Sequence, residues 1–362
     1  MFVDDWEIIE THPHDRASFT QGLEVHPSSV RYHENRNRNG NSCDTSDKTE
    51  TEPETVSSTT TCTAAADANA DALTEQEQEQ EERLWVTETT GNHGESWIRT
   101  WDLATGVIRQ ESKMDHRFFG EGSTFFVDAD GTEKIAVLTY KEQSILVYDA
   151  HSLDLLETIE PWPSPTTTRE GWGIAFDPNQ QLFMVTDGSE YIHFWNLDFE
   201  EALPKIPVTI EKLVAPNPDG TSRVLIPHVD EESDHSNDNN NNNNKKEFMV
   251  NHLNELEWDA STNTLLANRW TESIVVRIRI DTNNNDNNNN NNNKKKNRNR
   301  GVVTNVYNFE KLYPPHIREN PPNGYRREDV FNGIAIVPNT DSKEWLVTGK
   351  WWPTIYKIRI QE

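Results

Sequence analysis

The sequence predicts an all-β protein, a five-bladed β-propeller in which residues 1–362 form a single domain, and three observations predict it. A short motif recurs five times, and each copy leads into alternating apolar residues. Further apolar runs of strand length follow every copy before the next one starts. Outside a few low-complexity tracts, no run of ordinary helix length has a helical period.

The motif copies are Phe19-Thr-Gln-Gly-Leu23, Phe119-Gly-Glu-Gly-Ser123, Glu170-Gly-Trp-Gly-Ile174, Leu253-Asn-Glu-Leu-Glu257 and Phe331-Asn-Gly-Ile-Ala335. Turn residues come next, as in Phe176-Asp-Pro-Asn179. A second apolar run follows at Leu84–Glu88, Ile135–Tyr140, Leu182–Thr186, Leu265–Trp270 and Trp345–Lys350, and then an alternating one at Trp97–Trp101, Ile145–Tyr148, Tyr191–Trp195, Ile274–Ile278 and Ile355–Ile358. A fourth strand closes most units, from Val107-Ile108 onward and at Leu155–Ile159, Ile206–Ile210 and Val302–Val306. The last unit lacks one, and Phe2–Glu10 is a strand without a unit. If that strand completes the last unit, the ring closes without an open sheet edge.

Three tracts interrupt the pattern, at 28–83, 229–247 and 281–300. Their Asn, Ser, Thr, Gln and charged residues bury too little apolar area to offset ordering entropy, so the expectation is disordered loop insertions. Both cysteines, Cys43 and Cys62, lie in the first tract, leaving no disulfide framework for the folded part. A formal net charge of -27 argues against nucleic-acid and anionic-membrane partners. The basic run from Lys294 to Arg300 sits beside an Asn repeat and reads as a solvated loop. The N-terminus has no basic and apolar leader pattern, and no apolar run has membrane-spanning length. As written the chain reads as cytoplasmic, although a sequence that had lost its leader would look the same, so the compartment stays open; a monomer is the default for a closed propeller.

In a propeller the innermost strand of each blade lines the central channel, so polar residues at the starts of such strands converge on one mouth. The repeat thus places Gln21, Glu121, Trp172, Asn254 and Asn332 around a common pocket, with Tyr140, Trp270 and Lys350 arriving from the ends of second strands. Polar residues at strand starts also serve simply to satisfy backbone groups. A purely structural repeat, however, would keep one residue type, whereas this frame carries Gln, Glu, Trp and Asn. The histidines do not cluster at zinc-ligand spacing, and His252 reads as a loop residue at the pocket's edge. No partnered Ser or Cys nucleophile motif and no Gly-rich phosphate loop occurs.

These motifs resemble the plant and bacterial glutaminyl-peptide cyclotransferases. The resemblance rests on Phe-Thr-Gln-Gly-Leu at 19–23, Phe-Gly-Glu-Gly at 119–122, Glu-Gly-Trp-Gly at 170–173, Asp-Gly-Ser at 187–189, Leu-Asn-Glu-Leu-Glu at 253–257, Ala-Asn-Arg-Trp at 267–270, Asn-Gly-Ile-Ala at 332–335 and Thr-Gly-Lys-Trp-Trp-Pro at 348–353. Leu-Thr-Tyr at 138–140 stands where the family usually has Leu-Thr-Trp.

The resemblance implies conversion of N-terminal glutamine of peptides and proteins to pyroglutamate with release of ammonia, using no metal and no cofactor. It implies Glu121, Lys350 and Asn254 as catalytic residues, with Glu121 the proton shuttle. Gln21, Phe19, Phe119, Tyr140, Trp172 and Trp270 would bind the substrate. Phe118 and Phe119 should raise the Glu121 pKa toward working pH. Three alternatives stay open: a calcium-dependent propeller lactonase or hydrolase recruiting Glu121, Asn254, Asn332 and Asp187 as oxygen ligands, a non-catalytic interaction scaffold, and a cyclase site made inactive by Tyr140 or the tracts.

Overall fold

The computed structural model describes residues 2–26, 29, 84–211, 214–216, 222–224, 247–281, 299–314 and 328–361. The three tracts lie almost wholly outside the described residues; only edge residues such as Glu247, Asp281 and Arg300 are described, and these three belong to strands.

The chain enters through β1 (Phe2–Val3) and β2 (Trp6–Pro13). A first meander follows, β3 (Thr20–Val25), β4 (Trp85–Thr90), β5 (Trp97–Asp102) and β6 (Ile108–Lys113), then a second, β7 (Gly120–Val127), β8 (Glu133–Thr139), β9 (Ile145–Asp149) and β10 (Leu155–Ile159). The third is β11 (Ile174–Asp177), β12 (Leu182–Val185), β13 (Tyr191–Trp195) and β14 (Glu201–Glu211). Three short strands come next, β15 (Val214–Pro216), β16 (Ser222–Val224) and β17 (Glu247–Met249). The fourth meander is β18 (Leu253–Asp259), β19 (Thr264–Arg269), β20 (Ile274–Asp281) and β21 (Arg300–Asn308), and the chain ends with β22 (Phe331–Ile336), β23 (Glu344–Gly349) and β24 (Thr354–Ile360). The protein is all-β.

The last three strands are completed by β2, which runs antiparallel to β24 from Trp6 opposite Ile360 to Pro13 opposite Thr354. The N-terminal segment is thus two strands, not the single strand expected over Phe2–Glu10. β1 leaves that sheet and pairs in parallel with β21, and this places Val3 in a buried cluster with Tyr307 and Phe309. A parallel contact of β14 with β21, at Val208 opposite Gly301, joins the third and fourth meanders.

Strand alternation explains the packing, because successive side chains point to opposite faces. In β19, Leu265 and Ala267 enter the cluster shared with the third meander, whereas Leu266 enters the cluster shared with the last sheet. Other clusters lie between the second and third meanders around Phe183, between the first and second around Ile135, and between the last sheet and the first around Leu23 and Leu346. Every meander is therefore sandwiched between two others. The first strands follow the same cycle: β3 neighbours β7, β7 neighbours β11, β11 neighbours β18, β18 neighbours β22, and β22 returns to β3.

Further along these first strands, carboxyl oxygens accept from backbone N–H groups of other meanders. Glu24 accepts from Phe125 N (2.8 Å), Glu255 from Leu23 N (2.9 Å) and Glu257 from Ile336 N (3.0 Å).

Candidate active site

The motif residues stand where pairing is irregular. Register shifts fall between Thr20 and Gly22, between Gly120 and Ser123, between Leu253 and Leu256, and between Phe331 and Ile334. Such bulges re-aim side chains and bend a strand. They lie at Gln21, Glu121, Asn254 and Asn332, and turn these side chains away from ordinary alternation. Trp172 lies two residues before the start of β11, and its N–H donates to the Thr186 carbonyl (3.0 Å). Glycine is needed at 173, since a Cβ there would stand 1.9 Å from the Asn254 carbonyl oxygen. At 333 it serves a φ of +115°.

The floor is a buried amide network. Asn254 Nδ2 donates to Asn332 Oδ1 (2.9 Å), and Asn332 Nδ2 donates to the carbonyls of Thr20 (2.8 Å) and Gln21 (3.2 Å). Gln21 Oε1 lies 3.4 Å from Asn332 Nδ2. Asn268 Nδ2 donates to the Phe331 carbonyl (3.0 Å). Asn254 Oδ1 and Asn268 Oδ1 are buried without a partner among the described residues.

Two aromatic groups are present. Phe19 packs edge-on against Phe119 and Trp351 (ring centroids 6.0 and 4.7 Å apart), and Phe119 continues to Tyr140 at 5.6 Å. Trp172 meets Trp270 edge-on at 5.7 Å and stacks on His252 at 6.4 Å. Trp172 Nε1 donates to Glu170 (3.0 Å). Both His252 and Trp351 have left-handed backbones, with φ of 59° and 60°, a conformation costly for bulky residues that persists where surrounding contacts impose it.

Glu121 and Lys350 are 5% and 4% exposed, and neither the carboxylate nor the ammonium has a hydrogen-bond or ion-pair partner among the described residues. Burial pushes the Glu121 carboxyl well above its usual range; Lys350 opposes the shift, while Glu170 and Glu142 add to it. Burial pushes Lys350 down to about 8, against the attraction of Glu121 and Glu328. Its Nζ lies 4.3 Å from the Phe19 ring centre, a cation–π contact in a dry setting. A carboxyl whose pKa is raised by burial, together with an amine whose pKa is lowered by it, is suited to moving protons near neutral pH.

The structure thus brings Glu121, Lys350, Phe19, Phe119, Tyr140 and Trp351 together, with Gln21, Asn254 and Asn332 as a linked floor. Trp172 and Trp270 form their own group, attached through Gly173 and Asn254. Four contributors escaped the sequence reading: His252 as a stacking partner, Trp351, Asn268, and Glu170 as the indole acceptor. Asp187 does not join the site, as its carboxylate is taken by Thr168 N (2.8 Å), by Ser189 and by His193 (3.4 Å). With Asn332 committed to the floor as well, the oxygen-ligand set of the lactonase alternative is not assembled.

A closed cycle of β-meanders carrying a buried carboxylate, a buried ammonium and aromatic walls defines a class: an all-β protein with a polar site at the starts of its first strands. The glutamine cyclotransferase family profile matches residues 39–214 and 208–360, and the chain belongs to that family. It is 25% identical over 275 residues to a glutaminyl-peptide cyclotransferase of Arabidopsis thaliana, a match covering 76% of this chain and 63% of that protein. The chain therefore spans less than two thirds of that relative's length. The crystal structure of Myxococcus xanthus glutaminyl cyclase is similar in fold, with a TM-score of 0.55 at 18% identity, covering 98% of this chain and 96% of that one.

Proposed function

We propose that the protein is a five-bladed β-propeller glutaminyl-peptide cyclotransferase that acts on peptides and proteins with N-terminal glutamine. Its five blades are the meanders, the last completed by β2. The observation that carries the reading is the Glu121 carboxyl, buried near Lys350 and without a hydrogen-bond or ion-pair partner among the described residues, in a chain of this family.

The substrate's α-amine attacks its own side-chain carboxamide carbon, forming the ring C–N bond. The C–NH2 bond then breaks and ammonia leaves. Nucleophile and electrophile share one residue, so the site has mainly to hold the folded-back rotamer. The α-amine titrates near ~8 and is partly neutral at physiological pH. Ionised Glu121 takes a proton from the amine nitrogen, which becomes cationic on forming the new C–N bond, and passes it to the leaving nitrogen, so no proton is consumed overall. Burial keeps the Glu121 pKa high enough for the second transfer.

Asn254 and Gln21 offer amide groups to the substrate carboxamide, and Lys350 stabilises the developing oxyanion. Phe19, Phe119, Tyr140, Trp172 and Trp270 enclose the glutamine side chain. The test is ammonia release from a Gln-initiated dipeptide by purified protein with chelator present, beside Glu121→Gln. Activity that survives chelation and depends on Glu121 supports the reading; a wild-type protein that releases no ammonia overturns it.

A further inference from the structure

We infer that His14 and Glu88 are positioning residues for this reaction, a buried proton-sharing latch across the seam of the ring that holds Lys350 and Gln21 in place. The inference rests on the function proposed above. β2 belongs to the last sheet and β3 to the first, so residues 14–19 are where the ring closes. His14 N–H donates to the Pro353 carbonyl (3.0 Å), His14 Nδ1 donates to the Trp352 carbonyl (2.7 Å), and Trp351 N–H donates to the Ser18 carbonyl (2.7 Å). The turn that follows Lys350 is stitched to the seam at three points.

On its other side His14 Nε2 lies 3.0 Å from Glu88 Oε1 on β4, and both side chains are almost fully buried. The same Glu88 oxygen accepts from Thr20 Oγ1 (2.7 Å), and Ser18 Oγ lies 3.4 Å from the other. Thr20 adjoins Gln21, and Ser18 adjoins Phe19, whose ring lies under the Lys350 ammonium. One buried pair therefore ties together the segment that carries Phe19 and Gln21 and the turn that follows Lys350.

The remaining groups facing the imidazole do not replace Glu88. Trp101 of β5 stacks at 6.5 Å, Thr348 Oγ1 of β23 lies 3.3 Å from Nδ1, and Asp15 of the seam is paired with Arg99 at 3.0 Å. With the Nδ1 proton committed to a carbonyl, Nε2 and Glu88 need one proton between them. Removing it leaves two lone pairs face to face. Burial opposes the imidazolium, but the Glu88 charge and hydrogen bond outweigh it, so the His14 pKa is raised. A raised pKa means that the latch is intact at lower pH and is lost as pH rises through the folded value.

The test compares wild type, Glu88→Gln and Glu88→Ala. With its amide nitrogen at the position of Oε1, a glutamine donates one N–H to neutral His14 Nε2 and the other to the Thr20 hydroxyl, and keeps its oxygen for Ser18, so it latches without the shared proton. The KM for a Gln dipeptide should rise toward alkaline pH in wild type and stay flat in Glu88→Gln, with the melting temperature at pH 7 retained. Glu88→Ala should lose roughly tenfold or more in kcat/KM, because misplacing reacting groups by about 1 Å is costly. Tryptophan fluorescence, with Trp101 stacked on His14 and Trp351 and Trp352 in the tethered turn, should show an alkaline transition in wild type that Glu88→Gln lacks. Identical pH profiles of KM and fluorescence in wild type and Glu88→Gln overturn the latch, as does a folded Glu88→Ala protein with unchanged kcat/KM. A wild type that releases no ammonia refutes the proposed reaction alone, and the fluorescence comparison then decides the latch. If Glu88→Ala does not fold, Glu88→Gln decides it.

Discussion

The two ends of the first strands are built from similar material and behave differently. At one end Glu121 and Lys350, beside aromatic rings, have no hydrogen-bond or ion-pair partner among the described residues. At the other, a cavity of about 640 Å³ is lined by Glu24, Glu257, Phe125, Phe176 and Trp258. Both ends hold carboxyls raised by burial, Glu121 at the first and Glu24, pushed up to about 8, at the second. The difference lies in occupation. Glu24 and Glu257 each spend an oxygen on a backbone N–H, whereas the Glu121 carboxylate has no such duty. A large cavity with perturbed acids is therefore not where the chemistry is expected, and unpaired opposite charges are the better guide.

The comparison breaks most readily at Glu121. Glu121→Gln is expected to lower kcat by about 10²-fold or more, the range for a lost acid–base group, whereas Glu24→Gln should leave kcat on the Gln dipeptide essentially unchanged. Equal losses in the two variants would erase the distinction between the ends. Replacing Lys350 by Met should cost up to about 10²-fold, as for a lost oxyanion donor. It should also abolish the fall in wild-type kcat as pH rises through about 8, where Lys350 loses its charge, while the alkaline rise in KM assigned to the latch persists.

Gly173→Ala tests the backbone approach beneath Trp172. Its Cβ would overlap the Asn254 carbonyl at 1.9 Å, so thermal denaturation should show a loss of about 1–3 kcal/mol, the usual cost of overpacking. The smallest effect belongs to the far end. Glu24 has a folded pKa raised to about 8, so its contribution to stability is intact below the unfolded value and is lost as pH rises toward 8. Glu24→Gln keeps the acceptor for Phe125 N and should raise the melting temperature at pH 8–9 by a few degrees while leaving it unchanged at pH 5. An equal rise at both values would assign the effect to packing.

Much of the fold was legible because it is local. Short apolar runs of strand length mark strands such as Ile135–Thr139, and Gly, Asn and Asp mark the turns between them. The break between β1 and β2 was not legible. Whether Phe2 and Val3 continue into Trp6 or pair with Val306 and Tyr307 depends on a strand some 300 residues away. Within the site, Gln21, Glu121, Asn254 and Asn332 stood out because a repeated frame shows where residues depart from it. Trp351, His252 and Asn268 have no such frame, since their roles come from left-handed backbones and from contacts across sheets.

By itself, then, the sequence determined the all-β class, the recurring meander and the residue types offered at one end of the first strands, because these follow from side-chain periodicity and local turn chemistry. Only the tertiary structure decided which carboxyls lose their freedom to backbone N–H groups and which stay unpaired. It also decided that His14 and Glu88 meet across the seam. Burial and partnering depend on atoms brought together from distant parts of the chain, and no window of sequence contains them.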